Sequence, residues 1–481
     1  MNDNKNLALH NSYLTLPKCF YERIEPTPVS DPTLIYFNEN LAKKLNLEFL
    51  CYDKSLITNY FSGNKLPDNC KSLSQAYAGH QFGNFTMLGD GRAILLGEQI
   101  DIHDNLYDIQ LKGSGRTSYS RGGDGRATLS SMLREYIMSE SMYHLNIPTT
   151  RSLAVINSGE SVYRESHNQG GVLTRIASSH IRVGTFEYGK HFCTKNDFKK
   201  FIDYVINRHF PDLLNEKLAY LELIRLIMRN QIDLIVNWNR VGFIHGVMNT
   251  DNMSISGETI DYGPCAFIND YNPNTTFSSI DHNGRYAFGN QHKIAYWNLT
   301  VFAGTLLDYI DNDKNRAIEL VQDILNQFPI QYSIKWHDMM FKKLGIETPI
   351  DEDKNLIEKL LSLMQNHKAD YTNTFAALTL NKSNNDSLSE SDGFMDWKNK
   401  WKQRIKNNEN SYKIMQRNNP LYIPRNYLIE SALTNCVNGN NKEFDGLLKI
   451  MSETYNYELD NHELQISPDG FDDHYKTFCG T

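Results

Sequence analysis

No run of 18 apolar residues occurs in the sequence, so no segment is suited to cross a bilayer as a helix. The opening residues, MNDNKNLALHN, have no apolar core and no arginine and carry an early acid. Neither a secretory leader nor a mitochondrial presequence is expected there. Cysteine is scarce and scattered. Cys19, Cys51, Cys70, Cys193, Cys265, Cys436 and Cys479 make an odd count of seven with no C-x-x-C. That argues against a zinc site or a disulfide framework and for a reducing cytoplasm. A basic excess is also missing: 49 basic residues face 57 acidic ones, for a formal net charge of -8. This disfavours nonspecific binding to nucleic acid or to an anionic membrane surface. No internal repeat is present, and nothing points to an obligate dimer, so a monomer is expected.

What is present is ordinary globular material, 40% hydrophobic and 22% charged over 481 residues. That suffices for two or three domains, or for one large two-lobed enzyme with extensions. Residues 1–80 mix apolar runs with Pro and Asn and predict an irregular or partly helical extension. Strand-like runs gather next, TML, RAILLGEQI and YDIQLKG, then SLAVINSG and GVLTRIAS. Between them, Met132, Leu133, Tyr136, Ile137 and Met142 fall at helical spacing over residues 128–145. From about residue 196 the pattern is mainly helical, with a polar loop or linker at 380–393. The whole predicts an α+β chain with a sheet-bearing N-lobe (81–195), a mainly helical C-lobe (196–350) and a C-terminal helical extension (351–481).

Four constellations carry chemistry. G-D-G-R-A at Gly89–Ala93 places Gly89, Gly91 and Arg92 where a glycine turn can approach phosphates and a guanidinium can add charge. By itself a plain hairpin turn explains it as well. Lys112 ends the run YDIQLK and can reach phosphates under such a turn, with Glu135 on the following helix as an ion-pair partner. The strongest signal is H-G-V-M-N-T-D-N at His245–Asn252, followed by Asp261 in I-D-Y-G. Asn252 and Asp261 offer the oxygen pair that magnesium or manganese takes beside ATP phosphates. In order and chemistry this resembles a protein-kinase catalytic loop and its metal-binding D-F-G. One departure matters: Val247 stands where a kinase places its catalytic aspartate, and the acid is instead Asp251. The cleft is therefore either inactive or performs a different transfer with Asp251 as the base. The segment VGFIHGVMNTDNMSISGETIDYGP predicts a loop and then a hairpin turning at Ser256–Gly257. Last, Arg175 and Arg182 are seven apart, which would put them on one face of a helix, where paired guanidiniums clamp phosphate.

Several blocks together resemble the selenoprotein O family. They are QLKGSGRTSYSRGGDGRATL (110–129), REYIMSESMYHLNIPTTRSLAV (134–155), RIASSHIRVGTFE (175–187) and GFIHGVMNTDNMSISGETIDYGP (242–264), with GRYAFGNQ (284–291), WNLTVFAG (297–304) and NPLYIPRNYLIESAL (419–433). The resemblance covers nearly the whole chain. It implies a bilobal protein-kinase-like fold that binds ATP inverted and transfers AMP to Ser, Thr or Tyr hydroxyls of target proteins. UMP transfer with manganese is the alternative outcome. On this resemblance Gly89, Gly91, Arg92, Asp124 and Gly125 line the nucleotide site, and Lys112 holds phosphates and pairs with Glu135. Arg175 and Arg182 grip the terminal phosphates, Asp251 accepts the proton, and Asn252 and Asp261 bind Mg2+ or Mn2+. Cys479, near the end, sits where the family has a redox-active residue. Its partner in some members would fall near Ser278 and Ser279, with Cys265 the nearest cysteine in sequence. A true kinase and a noncatalytic ATP-binding module remain the competing readings.

Overall fold

The apolar runs of the first 180 residues form one antiparallel sheet. Its strands are β1 (Tyr21–Arg23), β2 (Thr33–Phe37) and β3 (Leu73–Gln75), then β6 (Ala93–Ile100), β7 (Leu106–Lys112), β8 (Ala127–Thr128), β9 (Arg151–Tyr163) and β10 (His167–Ala177), while β4 (Ala78–Gln81) and β5 (Asn84–Met87) make a separate hairpin. The order is β1-β3-β6-β7-β10-β9-β2, with β8 on β10. The computed structural model describes residues 7–406, 408, 410–459, 462–466 and 468–478. Central strands β7 and β10 carry nearly unbroken buried runs, because helices cover both faces. Helices α1 (Glu39–Lys44) and α2 (Lys54–Ser62) bring Leu41, Ile57 and Phe61 against Ile94, Ile109, Leu153 and Ile176. On the other face α3 (Leu129–His144) sets Leu133 and Ile137 against Leu95, Val155 and Leu173. Thr128 caps α3 by accepting from the Ser131 N–H.

The second half is helical. After α4 (Val183–Phe192) and α5 (Lys195–His209) come α6 (Ala219–Val241) and α7 (Gln291–Ile310), with further helices continuing to His474. A short ladder, β11 (Phe243–Ile244) with β12 (Ala266–Phe267), frames the loop between them. No helix among the described residues is long and apolar enough to cross a membrane.

Four local expectations need correction. Residues 1–80, read as an irregular or partly helical extension, do carry α1 and α2 but also supply three strands of the sheet, of which β1 and β3 have only three residues each. Gly89–Gly91 is not a hairpin turn: β5 pairs with β4, and β6 pairs with β3 and β7. Around Ser256–Gly257 a turn forms but no hairpin, since Ser254 bridges to Arg182 and Thr259 to Thr149. And Cys19 is disulfide-bonded to Cys193 with Cα atoms 6.1 Å apart, across 174 residues of sequence.

The two edge strands β1 and β2 are joined by residues 24–32, IEPTPVSDP. Six strand spacings separate the edges, about 29 Å, while the ten Cα steps from Arg23 to Thr33 reach about 33–36 Å at full extension. Three prolines suit that extended path. Along it Thr27 donates its N–H to Ser114 O (2.9 Å), and Arg126 donates to the carbonyls of Thr27 and Pro28 (3.0 and 3.1 Å).

A buried ion network ties the sheet to α5. Arg208 reaches Asp108 on β7 (2.5 Å) and Glu98 on β6 (3.1 Å), and Asp108 also meets His180 Nδ1 (2.9 Å). The Asp108 and Glu98 side chains are almost fully buried. Arg208→Ala is expected to leave two uncompensated carboxylates and cost about 3–5 kcal/mol. Chemical denaturation of the variant against wild type measures this, and a cost below about 1 kcal/mol would contradict it.

Candidate active site

The strand that ends at Lys112, the helix that carries Glu135 and the loop that carries Asp261 meet at the wall of one cavity of about 900 Å³, a size suited to a nucleotide. Lys112 Nζ lies 2.6 Å from Glu135 Oε2 and 2.8 Å from Asp261 Oδ1. Arg175 Nη2 lies 2.5 Å from Glu135 Oε1 and 2.6 Å from Asp261 Oδ1. Arg182 Nη1 donates to Asp261 Oδ2 (2.9 Å) and to the Asp251 carbonyl (2.8 Å). Three cations thus hold two carboxylates in a buried cluster. Burial alone would raise the Asp261 pKa, but Arg175, Lys112 and Arg182 outweigh it and hold the carboxyl well below its ordinary range. Burial lowers Lys112, with Arg175 adding to the effect.

Arg175 and Arg182 do come together, though not on a helix face. Arg175 stands near the C-terminal end of β10, opposite Gln110 and Ser152, and Arg182 is the N-cap of α4. Two different elements aim them at one carboxylate. Arg182 also stacks on Tyr77, 4.6 Å from the ring centre.

Gly89, Gly91 and Arg92 form the cavity rim after β5. Gly89 has φ of +121°, and a Cβ there would run into the Tyr119 ring. Its neighbour Asp90 is buried and accepts from the Gln75 N–H and the Gln110 amide. Asp124 and Gly125 line the same cavity. The Asp124 carboxylate is gripped by Arg164 at 2.9 and 3.0 Å.

Asp251 lies on the single helical turn Thr250–Asn252 and is 8% exposed. Burial pushes its carboxyl up to about 6, with Arg182 opposing. Among the described residues no hydrogen bond reaches its Oδ1. Asn252 donates its amide nitrogen to Val247 O (2.9 Å), which commits that end and leaves the oxygen for other use. Val247 is buried on the cavity wall. His245 is structural: its Nε2 meets Ile260 O at 2.8 Å, which fixes the spacing between the two halves of the loop. Among the described residues no group of three His, Cys, Asp or Glu could hold a metal. One amide oxygen and one carboxylate fit a hard divalent cation that takes its remaining ligands from phosphate and water.

Sequence reasoning missed Tyr77, Tyr119, Asp90 and Arg164, and also the C-terminal segment. Tyr475, Lys476, Thr477 and Phe478 also line the cavity. Thr477 pairs with the stretch after β12, donating to Phe277 O (2.8 Å) and accepting from the Ser279 N–H (3.0 Å). Cys479 lies outside the described residues; the residues before it run beside Ser278 and Ser279. Cys265 is fully buried with its thiol donating to Tyr262 O, and burial pushes it up to about 12.

The site is thus a polyphosphate-sized cavity with a buried cationic cluster and a buried carboxylate with one unpartnered oxygen, an arrangement suited to a nucleotide-handling enzyme. Comparison with known proteins narrows this. A family model described as "Protein adenylyltransferase SelO" matches residues 4–452, and the chain belongs to that family. It is 50% identical over 485 residues to a protein of Bacillus cereus named "Protein nucleotidyltransferase YdiU", covering 100% of this chain and 99% of the relative. A Brevibacillus brevis protein of the same name is 50% identical with 98% and 97% coverage. One from Clostridium perfringens is 49% identical with full coverage of both. The chain is accordingly a nucleotidyltransferase of the adenylyltransferase type.

Gly89→Ala is expected to strain the loop by about 1–3 kcal/mol and to weaken ATP binding about tenfold. Titration calorimetry with Mg2+ and ATP reads this; an unchanged Kd would take the glycine loop off the nucleotide.

Proposed function

We propose that the chain adopts a bilobal kinase-like arrangement, binds ATP with its α-phosphate toward Asp251, and transfers AMP to Ser, Thr or Tyr hydroxyls of other proteins. The observation that carries the reading is Asp251 itself: a buried carboxylate with one unpartnered oxygen, at the cavity wall and next to the cationic cluster. A carboxyl raised toward neutrality can take a proton as a hydroxyl attacks.

In this reading the acceptor hydroxyl oxygen bonds to the α-phosphorus, the bond from that phosphorus to the β-bridging oxygen breaks, and pyrophosphate leaves. The hydroxyl proton passes to Asp251. Lys112, Arg175 and Arg182 exchange part of their contact with Asp261 for phosphate oxygens and offset the charge that grows on the leaving group. Glu135 keeps Lys112 and Arg175 in place. Gly89, Gly91 and Arg92 approach the nucleotide from the rim, as do Asp124 and Gly125. Asn252 and Asp261 would hold Mg2+ or Mn2+, which when bound neutralises phosphate charge. Val247 is then compatible with catalysis, because the attacked phosphorus no longer faces that position.

The test is label transfer with ATP carrying the label at the α- or the γ-phosphate, with Mg2+ or Mn2+. Label from the α position is expected on protein, and Asp261→Ala and Asp251→Asn are each expected to lower it by about 10²-fold or more. Label only from the γ position would make the enzyme a kinase. Bound ATP without transfer would leave a docking module. A parallel arm with α-labelled UTP and Mn2+ decides between AMP and UMP.

A further inference from the structure

Three elements meet behind Asp251, and each touches it closely. β4 passes so near that a Cβ on Gly79 would run into the Asp251 carboxylate. The start of α4 passes so near that a Cβ on Gly184 would strike Ala78 O and come within 3.3 Å of Asp251 Cα. The third element is the turn that carries Asp251.

One step away from each of these contacts stands a polar residue outside the mechanism above. His80 follows Gly79, Glu187 lies one helical turn after Gly184, and Thr250 precedes Asp251. The three converge. The His80 N–H donates to Thr250 Oγ1 at 2.7 Å, and His80 Nδ1 lies 2.5 Å from Glu187 Oε1. Thr250 also faces the Glu187 carboxylate. Its hydroxyl acts against the burial that pushes Glu187 up to about 7. Glu187 is 2% exposed at its side chain, Thr250 is fully buried, and His80 is 23% exposed at its side chain. Neither Glu187 oxygen has an aligned hydrogen bond among the described residues, and burial, with Arg285 adding to it, lowers the pKa of the His80 imidazole that lies against it. A buried carboxylate with so few partners is expensive to keep unless it serves a purpose. A second bond closes the same joint, from the Phe82 N–H at the hairpin tip to Asn249 Oδ1 (3.0 Å).

We infer that His80, Glu187 and Thr250 form a clamp that sets the position of Asp251 for proton transfer. They are positioning residues, and none of them touches the reacting atoms. The clamp joins hairpin, helix and turn at one point, so a shift of any of the three moves the Asp251 carboxylate relative to the phosphates. Of the cationic cluster, Lys112, Arg175 and Glu135 hang on other elements, β7, β10 and α3, while Arg182 shares α4 with the clamp and donates to the Asp251 carbonyl. The clamp contacts are made by His80, Glu187 and Thr250 and by none of the cations, so the clamp governs the rate of transfer with little effect on nucleotide affinity. This inference rests on the assignment of Asp251 as proton acceptor.

The experiment measures kcat for transfer from α-labelled ATP with Mg2+ to the proteins of a heat-inactivated cell lysate, and the Kd for ATP by calorimetry. The variants are Thr250→Val, Thr250→Ser, Glu187→Gln and His80→Ala, with Asp251→Asn alongside and thermal melting as the check on folding. Thr250→Val, Glu187→Gln and His80→Ala are expected to lower kcat between about tenfold and about a hundredfold, with Kd within about twofold of wild type. Thr250→Ser, which keeps the hydroxyl, is expected to restore transfer. If Thr250→Val does not fold, His80→Ala decides, because its side chain is partly exposed. Unchanged kcat in folded variants, or a loss of ATP affinity equal to the loss of rate, overturns the clamp. Transfer surviving in Asp251→Asn overturns the assignment beneath it. An inactive Asp251→Asn beside fully active clamp variants overturns the clamp alone.

Discussion

The attraction of three buried cations to the Asp261 carboxylate is the constraint on which the rest of the structure depends. Lys112 comes from the sheet, Arg175 from the neighbouring strand and Arg182 from the start of α4, so one carboxylate draws sheet and helix toward the loop of the second half. With Glu135 included, three positive groups contact two negative ones and one positive charge remains unmatched within those contacts. Buried charge left in that condition favours an anionic ligand. Phosphate oxygens meet that need, and the same attraction that assembles the site leaves it ready for a polyphosphate. Asp261 holds a backbone φ of +63°, a conformation uncommon outside glycine. The cluster over-determines its position, as expected where local strain is kept for a purpose.

Much of the chemistry was legible in local order. Lys112, Glu135, His245, Asn252 and Asp261 stand in short blocks whose residue types speak for themselves, and the structure brings the charged ones within ion-pair distance of each other. The α+β composition was also legible, from β7 to β10 in particular, because long buried strands leave unbroken apolar runs. What failed was long-range. Arg175 and Arg182 gave a spacing without an element, and seven residues suited a helix as well as a strand running into a helix start. The three-residue strands β1 and β3 carry no period to read. The Cys19–Cys193 bond and the seating of Thr477 on Phe277 are pairings between distant segments, which no window of sequence contains. His80 and Glu187 look like an ordinary polar strand residue and an ordinary helical acid until the fold places them 2.5 Å apart.

The division of labour follows from which elements carry which groups. The cationic side is built on paired strands and α3, held from both faces by packed apolar side chains. The acid side is built on a single turn of helix, and its shape depends on neighbours: Arg182 on the Asp251 carbonyl, Asn252 on Val247, His245 on Ile260. Lys112 and Arg175 thus rest on the sheet, while Arg182, at the start of α4, links the cluster to the turn that carries Asp251.

The extended segment 24–32 has a mechanical consequence. A tether that crosses nearly the full width of a sheet with only a few ångström to spare resists shear between its two edges, much as a drawn cord keeps a fan from opening. Beneath it runs the glycine-rich loop of residues 113–126, tied to the cord through Ser114 and Arg126. Lengthening the cord by inserted residues would leave every strand pairing intact and still let that loop lift. The length of segment 24–32, which lies outside the cavity lining, is thus expected to bear on how tightly that loop is held.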